Sequence, residues 1–338
     1  MTSINYKQAL DSLIAGQDLG HANMLSIMKQ VMQGELTPAQ IAGFLVALRI
    51  KGETVDEITA AATVMRALST KVSIADDAHL IDTCGTGGDG IQTFNVSTVS
   101  AFVAAAAGAK VAKHGGRSVS STCGSADVLE ALGVNVNLTP EQVANCVDTI
   151  GIGFMFAPNH HSAMKHSAPV RRELGVRTLF NLLGPLTNPA NAKRQLMGVF
   201  KADLTLTLAK VLQNLGSEHV LVVHGADGMD EISFTGDTHI AELKNGQISQ
   251  YTVNPALFGL NCHNLTSIQI QHAEQSKDMV LAVLNGEKGP AREIVLMNAG
   301  AAIYVAGITE SLHAGINQAG LVIDNGQALA KLEALKAA

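Results

Sequence analysis

Four glycines within six residues, set between a short apolar run and the start of a helix, are the first feature of this sequence with chemistry in it. Leu80-Ile81-Asp82-Thr83 runs into Cys84-Gly85-Thr86-Gly87-Gly88-Asp89-Gly90, and Thr93, Asn95, Val96, Ser97 and Thr98 follow as a helix opens. Glycine permits left-handed backbone and lets N–H groups approach a ligand with no Cβ in the way. A helix start adds unpaired N–H donors and the positive end of its dipole. Asn95, Ser97 and Thr98 are also good capping residues. A plain strand-to-helix turn would need fewer glycines, so the pattern points to an anion, and phosphate above all. It is neither the dinucleotide G-x-G-x-x-G nor the triphosphate G-x-x-x-x-G-K-[ST] loop, which disfavours nicotinamide and ATP.

A second loop, Val111-Ala112-Lys113-His114-Gly115-Gly116-Arg117-Ser118-Val119-Ser120-Ser121, follows another strand-like run. Lys113 and Arg117 bring charge, and the serines bring short hydrogen bonds to oxygen. Gly124-Ser125 then opens a helix and so offers a second helix-start anion site. Alone, this segment reads equally well as a solvated polar loop. Two such loops after neighbouring strands would converge at the carboxyl ends of those strands, where open α/β sheets bind ligands. A ligand with two separated phosphate groups would suit both. Farther on, Gly228-Met229-Asp230-Glu231-Ile232-Ser233 follows an apolar strand. Its two carboxylates read as an exposed acidic turn or as hard oxygen ligands for Mg2+ beside phosphate. No His/Cys cluster has zinc spacing, and adjacent His160-His161 read as pocket-lining or structural.

These loops need elements to hold them. Residues 1 to about 73 read as helices only. Thr37-Pro38-Ala39-Gln40 and Thr54-Val55-Asp56-Glu57 are capping boxes, opening helices that run to about Gly52 and Leu68. From residue 79 onward the texture alternates: strand at 79–83, helix at 97–108, strand at 110–113, helix at 125–132, helix after the Thr139-Pro140-Glu141-Gln142 box, strand at 153–156. A helix-like basic segment carries Lys165, Arg171, Arg172 and Arg177; then come strand 195–200, helix 204–215 and strand 219–224. Such alternation implies a mainly parallel central sheet covered by helices, joined to a small all-helical domain. Lys244-Asn245-Gly246-Gln247 is a hairpin signal, and the tail from residue 276 is helical.

With 47% hydrophobic and 15% charged residues over 338 positions, the chain can bury a large core, and disorder is excluded. A formal net charge of -6 argues against nucleic acid or an anionic membrane surface as partner. The longest apolar stretch, Ala101 to Ala109, is too short to span a bilayer. The four cysteines, Cys84, Cys123, Cys146 and Cys262, are widely spaced, and no secretory signal opens the sequence, so a reducing cytoplasm with free thiols is expected.

Taken together, GTGGD at 85–89, FNVST at 94–98, KHG-x-RSVSS at 113–121, GSADVLEALG at 124–133, PVRRELGVRT at 169–178, FNLLGPLTNPA at 180–190 and GMDEIS at 228–233 resemble the anthranilate phosphoribosyltransferases. The resemblance implies a helical domain of residues 1–73 rejoined by about 170–192, and an α/β domain over 74–338. It implies a homodimer formed through the helical domain. The implied reaction, a step of L-tryptophan biosynthesis, transfers phosphoribose from phosphoribosyl pyrophosphate (PRPP) to the anthranilate amine. By the same resemblance, Gly85, Gly88, Asp89, Thr93, Asn95, Val96, Ser97, Thr98, the run Lys113 to Ser121 and Ser125 would hold PRPP. Ser97, Asp230 and Glu231 would hold Mg2+. Arg171 would meet the anthranilate carboxylate, with Gly85, His114 and Gly116 near the ring, and Lys113 and Arg171 would be the catalytic pair.

One departure stands out. The family carries Asn where this chain has Gly116, and glycine offers no side chain to the acceptor, so weaker anthranilate binding is expected. Thr122-Cys123 also replaces a commoner Lys-Ser, and Cys123 reads as a tolerated small residue rather than a nucleophile. Two rivals stay open at this point. A pyrimidine-nucleoside phosphorylase shares the architecture, but its usual lysine- and serine-containing approach to the glycine loop is absent from this sequence. A non-catalytic relative that binds nucleic acid would need a basic face.

Overall fold

Each of the three Thr-capped boxes starts a helix. Thr37, Thr54 and Thr139 accept from the backbone N–H of Gln40, Glu57 and Gln142, whose side chains return the bond. Each cap contributes about 1 kcal/mol. The computed structural model describes residues 4–118 and 122–338. Helices α1 (Tyr6–Ile14), α2 (Gly20–Gln33), α3 (Pro38–Lys51) and α4 (Val55–Leu68) come first. An alternating series follows: β1 (Leu80–Thr83), α5 (Val96–Ala106), β2 (Lys110–Gly115), α6 (Ser125–Ala131), α7 (Pro140–Thr149) and β3 (Ile152–Phe156).

The basic segment differs from its expected form. It is a broken path of short pieces, not one helix: α8 (Ala157–His160), a 3-10 turn at Ser162–His166, α9 (Ala168–Leu174) and α10 (Phe180–Leu183). Pro158 and Pro169 each restart the chain in a first turn, and Gly175 ends α9 in the left-handed region, which leaves Arg177 in a loop. Then come β4 (Arg194–Gly198), α11 (Leu204–Asn214), β5 (His219–Gly225), β6 (Thr238–Lys244) and β7 (Gln247–Val253). The tail forms α12 (Ala273–Leu284), α13 (Pro290–Val305), α14 (Leu312–Asp324) and α15 (Gln327–Lys336).

The seven strands lie in the order β3-β2-β1-β4-β5-β6-β7. The first five are parallel, β6 adds antiparallel to β5, and β7 antiparallel to β6. Asn245 and Gly246, both at positive φ, make the β6–β7 turn, as the hairpin signal requires. Strand order reverses between β1 and β4, so the carboxyl ends of β1, β2, β4 and β5 surround a topological switch point, where such sheets open a crevice. Two apolar cores support it. One packs α5, α6, α7, α12, α13, α14 and α15 on one side of the sheet. The other joins α1–α4 and Val170, Leu179, Phe180, Leu182, Leu183 and Leu186 to α11 and to the opposite sheet face through Met197, Val199, Val220 and Val222. No described helix is long and apolar enough to cross a membrane.

Candidate active site

The carboxyl ends of β1 and β2 carry the two loops singled out by their glycines, and both open into one cleft of about 870 Å³. Gly87, Gly88 and Gly90 all sit at positive φ, which explains why this loop needs glycine. Among the described residues, the backbone N–H groups of Gly85, Gly88, Asp89 and Gly90 donate to no protein acceptor, leaving them for a ligand. Asn95 stands at the N-cap of α5 but does not cap it. Its Nδ2 donates to the Cys123 carbonyl at 3.1 Å, and its Oδ1 accepts from Ser276 Oγ at 2.6 Å, so it ties the glycine loop to the second loop and to α12.

Ser97 is the junction of the site. Its N–H lies near the Glu231 carboxylate and favours the charged form, and its Oγ accepts from Lys113 Nζ at 3.3 Å. Lys113 is 3% exposed and also donates to the Thr83 carbonyl. Burial lowers its pKa, and Asp82, Glu231 and Asp230 oppose that shift. Asp82, wholly buried beneath the loops, accepts from the His114 N–H at 3.1 Å and from Asn188 Nδ2 at 2.7 Å. Burial raises its pKa, and these bonds together with Lys113 hold it back.

Asp230 and Glu231 form neither an exposed turn nor strand residues; they reach the cleft from the loop after β5. Asp230 accepts from Gly87 N–H at 2.8 Å, across 143 residues of sequence. Burial first, then the Asp89 carboxylate beside it, push Asp230 up to about 7. Glu231 is pushed well up by burial and by Asp230. Two carboxylates with raised pKa values, crowded against Asp89, suit a hard cation, which would relieve the repulsion. No three His, Cys, Asp or Glu side chains among the described residues enclose a metal by themselves. The donor set therefore fits Mg2+ held by one or two carboxylates, with water and substrate oxygens completing its shell.

Gly198 and Gly85 make the space for Asp230. A Cβ on Gly198 would stand 1.5 Å from the Asp230 carbonyl oxygen, and one on Gly85 2.4 Å from its Oδ2. The role of Gly198 was not read from sequence, though a glycine closing an apolar strand signals close backbone approach.

Several expected participants are placed differently. Arg117 points outward at 52% side-chain exposure, its guanidinium held by Glu130 at 2.6 Å and Asp127 at 3.1 Å, so it is a neutralised cation at the rim. Asp127 also accepts from Gly124 N–H at 2.8 Å and Ser118 N–H at 3.1 Å. The start of α6 thus already has its anion, which removes the second helix-start site. Thr98 faces the core with Phe102, Leu129 and Phe154, away from the cleft. Gly85, Gly88, Asp89, Thr93, Asn95, Val96, Ser97, Lys113, His114, Gly115, Gly116, Arg117, Ser118, Ser125, Arg171, Asp230 and Glu231 all line it. Val119, Ser120 and Ser121 lie outside the described residues.

Across the cleft, Arg171 stacks over Phe180 at 5.2 Å, and its guanidinium makes no hydrogen bond or ion pair with any described residue. Burial lowers its pKa, so a mostly desolvated guanidinium faces the cavity without an anion. Arg177 stacks on Phe200 at 4.3 Å and donates to the Gly88 carbonyl, linking the helical wall to the glycine loop. Burial drives His114 down to about 3 and His161 to about 4, so both are neutral at pH 7, with their Nε2 atoms 3.2 Å apart. His160 is likewise buried and bonds the Thr70 carbonyl at 3.0 Å.

Residues 77–329 match the glycosyl transferase family a/b domain, and residues 7–69 match that family's helical bundle domain. The anthranilate phosphoribosyltransferase of Methylobacillus flagellatus is 64% identical over 335 residues, covering 99% of this chain and 98% of its own. The chain belongs to the anthranilate phosphoribosyltransferase family. The family enzyme of Thermus thermophilus has a solved structure that superposes with a TM-score of 0.92 at 42% identity, covering 97% of this chain and 98% of that one. That of Saccharomyces cerevisiae, in complex with PRPP and Mg, gives a TM-score of 0.85 at 28% identity, covering 97% of this chain and 96% of the yeast chain. The helical bundle and mostly parallel sheet described above are the family's architecture.

Proposed function

We propose that this chain transfers the 5-phosphoribosyl group of PRPP to the amine of anthranilate and releases pyrophosphate, a step of L-tryptophan biosynthesis. It is a pentosyltransferase. One observation carries the reading: a single cleft joins an anion-binding glycine loop, a half-buried carboxylate cluster and, opposite them, the unpaired guanidinium of Arg171. A nucleoside phosphorylase would have no use for a desolvated cation kept for an acceptor's carboxylate. A nucleic-acid binder would need the basic face that this acidic chain lacks.

In this reading, the N–H groups of Gly85, Gly88, Asp89 and Gly90 hold pyrophosphate oxygens, and Lys113 sets a positive charge beside Ser97 at the same end of the cleft. Ser97, Asp230 and Glu231 would hold Mg2+, which would supply further positive charge against the leaving pyrophosphate. Cleavage of the ribose C1–O bond sends an electron pair to pyrophosphate and leaves cationic character at C1. Preorganised donors lower that barrier without reorganising during the reaction. Arg171 holds the anthranilate carboxylate and presents the amine to C1, converting an encounter into a positioned attack. An aryl amine is neutral at pH 7, so its lone pair attacks C1 without prior deprotonation, and the proton released from the new ammonium nitrogen passes to the departing pyrophosphate or to solvent. The neutral His114 offers a ring face to the acceptor.

We assign residues 1–73 with about 170–192 to the acceptor side, and 74–338 to PRPP. We assign a homodimer formed through the helical part: Ile50 on α3 is 82% exposed and Ile14 on α1 71% exposed. The four cysteines, three of them buried and none in a disulfide, suit a reducing cytoplasm. The reading is tested by following anthranilate fluorescence with PRPP and Mg2+, with and without chelator. Loss of signal only in the complete mixture supports it. A constant signal at high anthranilate overturns it. Sedimentation at micromolar concentration checks the dimer.

A further inference from the structure

Asn298 is a polar residue in the wrong place. It sits in the middle of α13, wholly buried, flanked by Ile294, Val295, Met297, Ala299 and Ile303, all 1% exposed or less. Asparagine is a mediocre helix former, and a buried amide is costly unless every polar atom is satisfied. Here it is satisfied in one specific way. Its Oδ1 accepts from the Ile232 N–H at 2.9 Å, and its Nδ2 donates to the Ile232 carbonyl at 2.9 Å and to the Ile294 carbonyl at 2.9 Å. Asn298 therefore grips both backbone polar groups of one residue, as a neighbouring strand would, although no strand is there. That residue directly follows Glu231. The gripped N–H belongs to the peptide plane shared with Glu231, so the grip fixes one flank of the carboxylate pair.

The other flanks are held too. Asp227 accepts from Met229 N–H at 3.1 Å, Ser233 Oγ at 2.6 Å and Thr235 Oγ1 at 2.7 Å, which closes the loop on itself. Gly198 presses against the Asp230 backbone from β4. Asn298 reaches this loop from a tail helix, outside this end of the sheet, and it does not line the cleft.

We infer that Asn298 is a positioning residue for the metal site: it presets the backbone at Ile232 so that Asp230 and Glu231 present their carboxylates together. The inference rests on the Mg2+ role proposed above for those two residues. Groups behind metal ligands typically alter metal affinity by about 10- to 100-fold when removed.

The test measures Mn2+ binding directly, by water-proton relaxation in the presence of pyrophosphate, on the full-length protein. Asn298→Leu removes both grips while keeping the branch at Cγ, and Asn298→Asp keeps the acceptor for the Ile232 N–H while losing the donors. Val295→Ala, at equal depth in the same helix, controls for general loosening. The expected result is a Mn2+ dissociation constant raised about tenfold or more in Asn298→Leu and less in Asn298→Asp, with KM for anthranilate changed less than twofold. Val295→Ala should lower the melting temperature and leave Mn2+ binding unchanged. If Asn298→Leu does not accumulate, Asn298→Asp is read on the same scale. Mn2+ affinity within twofold of wild type in the Asn298 variants overturns the inference, as does a Val295→Ala shift of equal size. A wild-type protein that binds no Mn2+ with pyrophosphate sinks the metal reading itself.

Discussion

On the sheet side of the cleft, Asp230 is gripped by a glycine N–H on one flank and pressed between two residues without a Cβ. On the helical side, the Arg171 guanidinium rests on a phenylalanine ring and bonds to no described residue. Beneath the glycine loop the sheet wall is cross-linked: Lys113 donates to Ser97, and Asp82 accepts from His114 N–H and Asn188, at and behind the carboxyl ends of β1 and β2. The helical wall is a path of short helices, with Arg172, Gly175, Val176 and Arg177 exposed. The contrast follows from what each wall must do. Charge that develops on a leaving group is stabilised best by dipoles fixed beforehand. An acceptor with one carboxylate and a flat ring needs one cation and a rim that can give.

If the sheet wall works by rigidity, crowding it should do more damage than removing a cation from the helical wall. Gly198→Ala drives a Cβ into the Asp230 backbone, and backbone cannot swing aside as a side-chain tip can. A displacement of about 1 Å at a reacting centre costs on the order of 10²-fold. Turnover should fall at least that far while circular dichroism keeps the wild-type helix signal. Near-normal turnover would show that Asp230 tolerates movement. Next in size, Asp230→Asn or Glu231→Gln should raise the Mg2+ concentration for half-maximal rate by about 10- to 100-fold, read from metal titrations of the initial rate. An unchanged Mg2+ requirement in both would remove these carboxylates from the metal site.

On the helical wall, Arg171→Ala deletes a charge-assisted contact worth roughly 1.5–3 kcal/mol, or about 10- to 150-fold. The increase should fall on KM for anthranilate and leave KM for PRPP within about twofold. Equal increases in both would mean that Arg171 supports the whole cleft, and the two walls would lose their separate roles.

Where the walls meet, His114 and His161 are neutral in the fold, held down by burial to about 3 and about 4, with His160 adding to both shifts and Lys71 to that of His161. Unfolded, both would take protons near pH 6.5. Between pH 6.5 and 4 the unfolded state binds more protons, so stability rises with pH across that window and is lost on acidification. Each histidine contributes a slope of about 1.4 kcal/mol per pH unit there. Urea unfolding at pH 7, 5.5 and 4.5 should show that slope, and His161→Asn should reduce it. A variant with the full wild-type slope would place the acid sensitivity elsewhere.

The two walls also differ in how far the sequence revealed them. The glycine loop was legible because its signal is local: a strand, glycines and a helix start within about twenty residues. The capping boxes at Thr37, Thr54 and Thr139 and the hairpin at Asn245-Gly246 were legible for the same reason. Arg117 misled because a cation in a loop looks free until the fold brings Asp127 and Glu130 to it from α6. Gly198 and Asn298 were invisible as site residues because their partners lie 32 and 66 residues away and are backbone, which leaves no residue-type signature. A lone polar residue in the apolar run of α13 was the only trace of Asn298. The broken helix at 157–183 was hidden by a basic, periodic pattern that its prolines and Gly175 override.

The smallest effect concerns Gly116, at the seam between the walls. A Cβ built there meets nothing within 4 Å, and the backbone is outside the left-handed region, so a side chain fits without strain. Glycine at this position is therefore not required by the fold, unlike Gly85 or Gly198, and its consequence should be confined to the acceptor. Gly116→Asn adds one amide at the cleft surface, and a neutral hydrogen bond is worth about 1 kcal/mol, or about five-fold in affinity. Anthranilate KM should fall by about that factor, with PRPP KM and melting temperature unchanged. If KM for anthranilate stays where it is, the acceptor does not reach Gly116, and recognition on this side rests on Arg171 and the His114 ring alone. If PRPP KM moves instead, Gly116 belongs functionally to the sheet wall, and the boundary between the two walls must be drawn on the far side of the second loop.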